Sequence, residues 1–266
     1  MINLTLYKKE WKSNWVMLII FMGVLTMYAI MIISMFDPEM GDSLRTMAES
    51  MPEVFAAFGM ADVGTTLLEF VTGYLYGILL TAFPAVYIII LANRLVAKYI
   101  DNGSMVYLLA VPEKRSKIVR TQMIFMVSSL LILEIFVLAV VLITSHFMFP
   151  GDLDIPGFLR ANAGLFGLWV MFGGVCFLTS CVFNETKVTL GFSSAVVIYA
   201  LLVQMISQVG DKFEKLKYAT PMTLFNVDGL ISNEQMAWIT CGIMYGVGIL
   251  CYIIAGQVFK RKNMPI

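Results

Sequence analysis

Residues 15–36 read WVMLIIFMGVLTMYAIMIISMF and contain no charged side chain. About 20 helical residues are needed to cross roughly 30 Å of hydrocarbon, and this stretch meets that length. It is too long for the apolar region of a secretory signal, and no small-x-small cleavage pattern follows it. It is expected to stay in place as a membrane anchor. Five further stretches read the same way: 70–93 with Pro84 inside it, 121–149 with Glu134 inside it, 161–183, 188–210 and 236–259. A single apolar run can be a buried core helix, but six in one chain cannot all be.

Composition agrees. The 266 residues are 59% hydrophobic and 14% charged, with a mean hydropathy of +0.84. That leaves too little polar surface to keep a protein of this size in water. The reading is an all-α membrane protein, one transmembrane domain over 1–266 with six spans. Formal net charge is zero, so no global field points to nucleic acid or to an acidic partner. Lys and Arg are unevenly placed. Lys8, Lys9, Lys12, Arg94, Lys98, Lys114, Arg115, Lys117, Arg120, Lys187, Lys260, Arg261 and Lys262 fall on one face of a six-span topology. Arg45, Arg160, Lys212, Lys215 and Lys217 fall on the other. The positive-inside rule makes the first face, with both chain ends, cytoplasmic.

Three segments between the spans carry patterns of their own. In LTLYKKEWKSNW, residues 4–15, Leu4, Tyr7, Trp11 and Trp15 recur at helical spacing with lysines between them. This predicts an amphipathic helix lying in the membrane interface, the alternative being a plain basic flank. In the acidic outer loop 37–69, Met40, Leu44, Met47, Met51, Val54, Phe55 and Phe58 follow a three–four rhythm. Ser50, Pro52 and Glu53 mark a helix start and Gly59 an end. Two short helices are expected there, either covering the tops of the spans or meeting cargo. In the segment 94–120, Asn102-Gly103 breaks the chain. Ser104 is placed to cap a short helix carrying Met105, Val106, Leu108, Leu109 and Val111, and Pro112 ends it. A short apolar helix in the cytoplasm has no lipid to cover it. It either docks into another protein or folds back on its own spans.

Recognisable catalytic motifs are missing. The sequence has no GxxxxGK[ST] phosphate loop, no HExxH and no GxSxG, and no Asp lies within a span. No metal site is expected: Cys176, Cys181, Cys241 and Cys251 lie in apolar runs without a CxxC, as packing residues do. Glu134 is the one acid at membrane depth, where a charged carboxylate costs about 2.5–3.5 kcal/mol on insertion scales. It reads as a substrate or proton site, or as an interhelical hydrogen-bond partner, with Gln204 and Gln208 as weaker candidates for the same wet interior. Glycines mark close helix contacts, with Gly242 and Gly246 at the four-residue spacing that lets two helices approach.

Taken in order, these segments resemble the permease subunits of bacterial type-2 ABC exporters. The likeness rests on KKEWK before the first span, ESMPEVFAAFGM outside, IDNGSMVYLLAVPEKRSKIVRTQ between the second and third spans, YATPMTLFN before the last span and VFKRKNMP after it. It departs from the family pattern at Asp101, Gly103 and Ser104, which stand where the family has Glu-x-Gly-Thr. Val106 and Tyr107 stand where a Glu is usual. The resemblance implies two permease chains, identical or related, in the bacterial cell membrane. It implies a separate ATPase subunit, which holds ATP and Mg and docks under a coupling helix at Ser104–Val111, helped by the Leu4–Asn14 helix. This chain itself would bind no cofactor and carry no enzymatic activity. Substrate would leave between spans one, two and five. Twenty methionines suit a hydrophobic or amphipathic cargo such as a peptide, antibiotic or lipid. The competing reading is an ATP-independent channel or secondary transporter that uses Glu134.

Overall fold

The computed structural model describes residues 2–36, 50–57, 66–110, 113–209 and 211–262. Among these residues every regular element is a helix: α1 (Leu4–Met35), α2 (Pro52–Ala57), α3 (Leu67–Val71), α4 (Leu80–Leu95), α5 (Ala97–Asp101), α6 (Met105–Ala110), α7 (Arg115–Met148), α8 (Ile155–Val182), α9 (Thr186–Ser207), α10 (Val227–Ile231) and α11 (Gln235–Arg261). A π-helical segment, Thr72–Leu79, joins α3 to α4. Two 3₁₀ segments, Asp211–Ala219 and Pro221–Leu224, precede α10. Six helical stretches are long and apolar enough to cross a membrane: α1, the run from α3 to α5, α7, α8, α9 and α11. That is the architecture of a multi-pass membrane protein.

Helix α8 lies at the centre. It is the most buried of the six stretches, and it packs on α11, α4, α7, α9 and α10. Its contact with α11 is the most extensive among the described residues, because glycines let the backbones meet. A Cβ on Gly174 would lie 2.5 Å from the carbonyl oxygen of Gly248, and one on Gly248 would lie 2.8 Å from that of Val170. The pair expected from spacing makes no such contact within the chain. A Cβ on Gly242 or Gly246 would meet nothing within 4 Å. Both glycines sit on the exposed side of α11, turned from α8 by the helical period.

The second span is irregular, and the reason is legible. Pro84 has no N–H to give the carbonyl of Leu80, four residues back. The buried indole of Trp169 on α8 donates to that carbonyl instead, at 2.9 Å. The π-helical turns lie immediately upstream and close on Leu75, whose carbonyl accepts from Leu80 N. The span opens earlier than hydropathy alone suggests, at a capping box. The Thr66 side chain accepts from Glu69 N, and the Glu69 carboxylate accepts from Thr66 N. Glu69, grouped by sequence with the outer acids, is therefore a helix cap.

Helix α1 is continuous from Leu4 to Met35, so no separate interfacial helix precedes the first span. Leu4 and Trp15 are exposed, while the buried stripe runs Leu6, Glu10, Asn14, Leu18. Tyr7 and Trp11 lie at the edge of that stripe, edge-on to Phe125 of α7 at 5.8 and 5.0 Å between ring centroids. Of the outer loop, α2 begins at Pro52, and Met51 and Val54 are exposed. Met40, Leu44, Met47, Phe58 and Gly59 lie outside the described residues.

The basic chain segments meet at one end of the bundle. Asn3 N donates to Thr121 Oγ1 at 2.9 Å, joining α1 to α7. Arg115 donates to the carbonyl of Lys262 at 3.1 Å. Lys262 Nζ donates to the carbonyls of Cys181 and Phe183 at 2.8 and 2.7 Å, which covers the C-terminal carbonyls of α8. Burial holds the pKa of Lys262 below the usual lysine value. The four cysteines are free thiols, Cys176, Cys181 and Cys241 buried and Cys251 partly so.

Gly248→Leu should force α8 and α11 apart and destabilise the protein by roughly 1–3 kcal/mol. Gly246→Leu should leave thermal unfolding in mild detergent unchanged. Equal melting of the two variants would remove this contact from its central place.

Candidate functional site

Two polar clusters are built into the apolar bundle. The first lies at the basic end. Glu10 is only 1% exposed. One carboxylate oxygen accepts from Tyr99 Oη on α5 at 2.8 Å and from Gln122 Nε2 on α7 at 3.0 Å. The other accepts from Asn14 Nδ2 at 3.2 Å, one helical turn along α1. Arg94, at the end of α4, donates to the Ser13 carbonyl at 3.2 Å. Lys9 stands 5.0 Å over the Tyr99 ring. A polar cleft of about 150 Å³ opens beside the carboxylate, between Ser13, Arg94, Lys98 and Asn102. One buried acid thus ties α1, α5 and α7 together, with three side-chain donors spread over both oxygens.

Nothing in local composition separates Glu10 from the lysines around it. The signal that was available is periodic. Leu6, Glu10, Asn14 and Leu18 fall at successive four-residue steps, so the polar pair shares a stripe with two buried leucines.

Helix α6 follows α5 directly. Gly103 takes a positive φ of +72°, which lets the chain turn between them. The Asn102 side chain accepts from Ser104 N at 3.1 Å, and Ser104 Oγ points back to the Tyr99 carbonyl at 3.5 Å. Ser104 therefore closes the turn after α5. Met105 is buried and Leu108 packs against the core, so these two expected docking residues face inward. Val106 and Tyr107 face outward, Tyr107 with 79% of its surface exposed. The Leu109 side chain, Val111 and Pro112 lie outside the described residues.

The second cluster lies at membrane depth. Glu134 on α7 is 5% exposed, and neither carboxylate oxygen has a hydrogen-bond partner. It lies within electrostatic range of Tyr76 in the π-helical segment and Tyr245 on α11. Tyr245 Oη donates to the Ala163 carbonyl at 2.8 Å, while the Tyr76 hydroxyl stands beside the side chain of Asn162. Four helical segments thus converge on one acid and two phenols. An isolated carboxylate is costly in such a place. Gln204 and Gln208 do not join it. Gln204 lies on α9 and Gln208 caps its end; α9 packs on α4 and α8, whereas α7 packs on α1, α8, α11 and α4. Gln204 has a buried, unpartnered carbonyl oxygen, and Gln208 is exposed at the end of α9.

No family model matches this sequence, and no curated protein matches it. Among the described residues no group of three or more His, Cys, Asp or Glu side chains is placed to hold a metal.

Glu10→Ala should leave the Tyr99 hydroxyl and the Gln122 and Asn14 amides short of an acceptor, at about 1–3 kcal/mol for each group that stays buried. Glu10→Gln, which keeps an acceptor for Tyr99, should cost less. A double-mutant cycle with Tyr99→Phe, read by thermal unfolding, should show coupling between the two sites. Additive effects would mean that this hydrogen bond does not hold α5 to α1.

Proposed function

We propose that this chain is the permease subunit of an ATP-binding-cassette exporter in a bacterial cell membrane, with both ends in the cytoplasm. It pairs with a second permease chain and with a separate ATPase subunit that holds ATP and Mg. Together the permeases form the path for a hydrophobic or amphipathic substrate. The observation that carries this reading is the outward face of α6. Val106 and Tyr107 are exposed at the basic end of the bundle, while Met105 and Leu108 anchor the helix from beneath. An apolar face on a cytoplasmic turn needs a protein surface to cover it.

The surroundings of α6 suit a coupling role. Force applied at Tyr107 reaches α5 through the Asn102–Ser104 turn, and reaches α1 and α7 through Tyr99 and Glu10. Helices α1 and α9 are the least buried of the six apolar stretches. Their open faces are suited to a second permease chain and to the substrate path between them. The missing phosphate loop, unexplained in a lone pump, is natural where ATP binds another chain.

Val106→Asp with Tyr107→Asp should abolish co-purification of the ATPase subunit and its stimulated ATP hydrolysis, with the thermal midpoint of the permease unchanged. Met105→Asp should instead destabilise the permease itself. If the Val106/Tyr107 variant still recruits the ATPase, the docking face is elsewhere. If the wild type recruits none, the exporter reading falls.

A second reading is favoured by the unpartnered carboxyl of Glu134: an ATP-independent carrier that binds a proton or cation there. In proteoliposomes free of any ATPase, such a carrier transports substrate down an imposed ion gradient, and Glu134→Gln abolishes that flux. A permease shows no flux under these conditions.

A further inference from the structure

The outer surface of α7 and α11 carries a groove of about 590 Å³ that neither polar cluster uses. Its α7 wall is Arg120, Met123, Val127 and Leu131, all on one helical face. Its α11 wall is Ile249, Ile253, Gly256 and Lys260, with the helix running the opposite way. The two cations therefore sit at the same end, and apart from Ser128, Tyr252 and Gln257 the rest of the lining is apolar. Arg120 and Lys260 are exposed, and neither side chain has an ion-pair or hydrogen-bond partner among the described residues. At about 1.5 Å per residue, the run from Arg120 to Leu131 extends about 16 Å, close to half of a hydrocarbon core of roughly 30 Å. Gly256 keeps the floor open: a Cβ there would meet only the end of Met123, at 3.1 Å.

We propose that this groove binds one anionic phospholipid from the leaflet at the basic end of the bundle. The phosphate sits between Arg120 and Lys260, and one acyl chain lies along Met123, Val127 and Leu131 against Ile249 and Ile253. Charge complementarity selects the headgroup, and the match between groove length and leaflet depth selects a lipid over a soluble anion. The site bridges the third and sixth apolar stretches, so its occupant braces α7 against α11. It requires a membrane-spanning chain and is independent of what the chain transports.

The test uses the purified full chain in mild detergent, titrated with equimolar phosphatidylglycerol and phosphatidylcholine of identical acyl chains and read by native mass spectrometry. The wild type should retain phosphatidylglycerol preferentially. Arg120→Gln with Lys260→Gln should lower that preference by roughly ten- to thirtyfold, as expected for two cations near an anionic surface. Lys8→Gln with Lys12→Gln, which removes the same charge elsewhere, should leave it intact. Gly256→Leu should reduce retention of both lipids, with the thermal midpoint showing that the fold survives. An undiminished preference in the Arg120/Lys260 variant, or an equal loss in the Lys8/Lys12 variant, would overturn the site. So would competition by glycerol 3-phosphate at equal concentration. Disulfide cross-linking of Ile253→Cys chains in native membranes would give the groove to a second copy and overturn it as well.

Discussion

Helix α8 can occupy the middle of this bundle only because α11 comes close enough to cover it, and that depends on a backbone-to-backbone contact. Gly174 and Gly248 leave no side chain between the two helices, so the carbonyls of Gly248 and Val170 lie where any Cβ would intrude. In hydrocarbon there is little hydrophobic drive for helices to associate, and close van der Waals contact takes its place. With that pair seated, α8 presents Trp169 to α4 and Gly167 to Tyr245 of α11. The central helix thus meets proline-broken backbone on one side and the phenols near Glu134 on another.

The same constraint explains the irregular second span. A proline within a membrane helix leaves a carbonyl that water cannot reach, and another element must supply the donor. Here the donor is an indole from the neighbouring helix, which makes the π-helical and proline-containing region a junction between α4 and α8. Tyr76, in those π-helical turns, is one of the two phenols near Glu134. An irregular backbone segment beside an unpartnered acid is where a membrane protein changes shape or binds most readily. The two polar clusters differ in kind. Glu10 is fully engaged, with donors on both oxygens, and works as a fastener. Glu134 has none among the described residues.

The six apolar stretches, their alternation, the cluster of basic residues at one end and the break at Asn102-Gly103 were legible in the chain itself. They follow from local properties: hydropathy summed over a span, charge in short loops, and the conformational freedom of glycine. Proline at position 84 announced a disturbance in the second span, and Pro52 a helix start. Hydropathy could not place the start of the second span at Thr66, because a capping box looks like two ordinary polar residues until both bonds form.

What local pattern could not settle was which face of each helix turns inward. On α1 the stripe that turns inward carries Glu10 and Asn14, because Tyr99 and Gln122 arrive from distant parts of the chain to bond Glu10, which also accepts from Asn14. Gly242 and Gly246 had the spacing for a close contact, yet Gly248 makes it, because the rotation of α11 is chosen by the whole surface of α8. On α6, Met105 turned in and Tyr107 out, since a six-residue helix with apolar groups all round takes its orientation from what lies beneath it. Sequence determined that this chain has six helices long and apolar enough to cross a membrane. Tertiary structure alone decided which polar groups find each other there, because their partners lie up to 147 residues away and are brought together only when the helices pack.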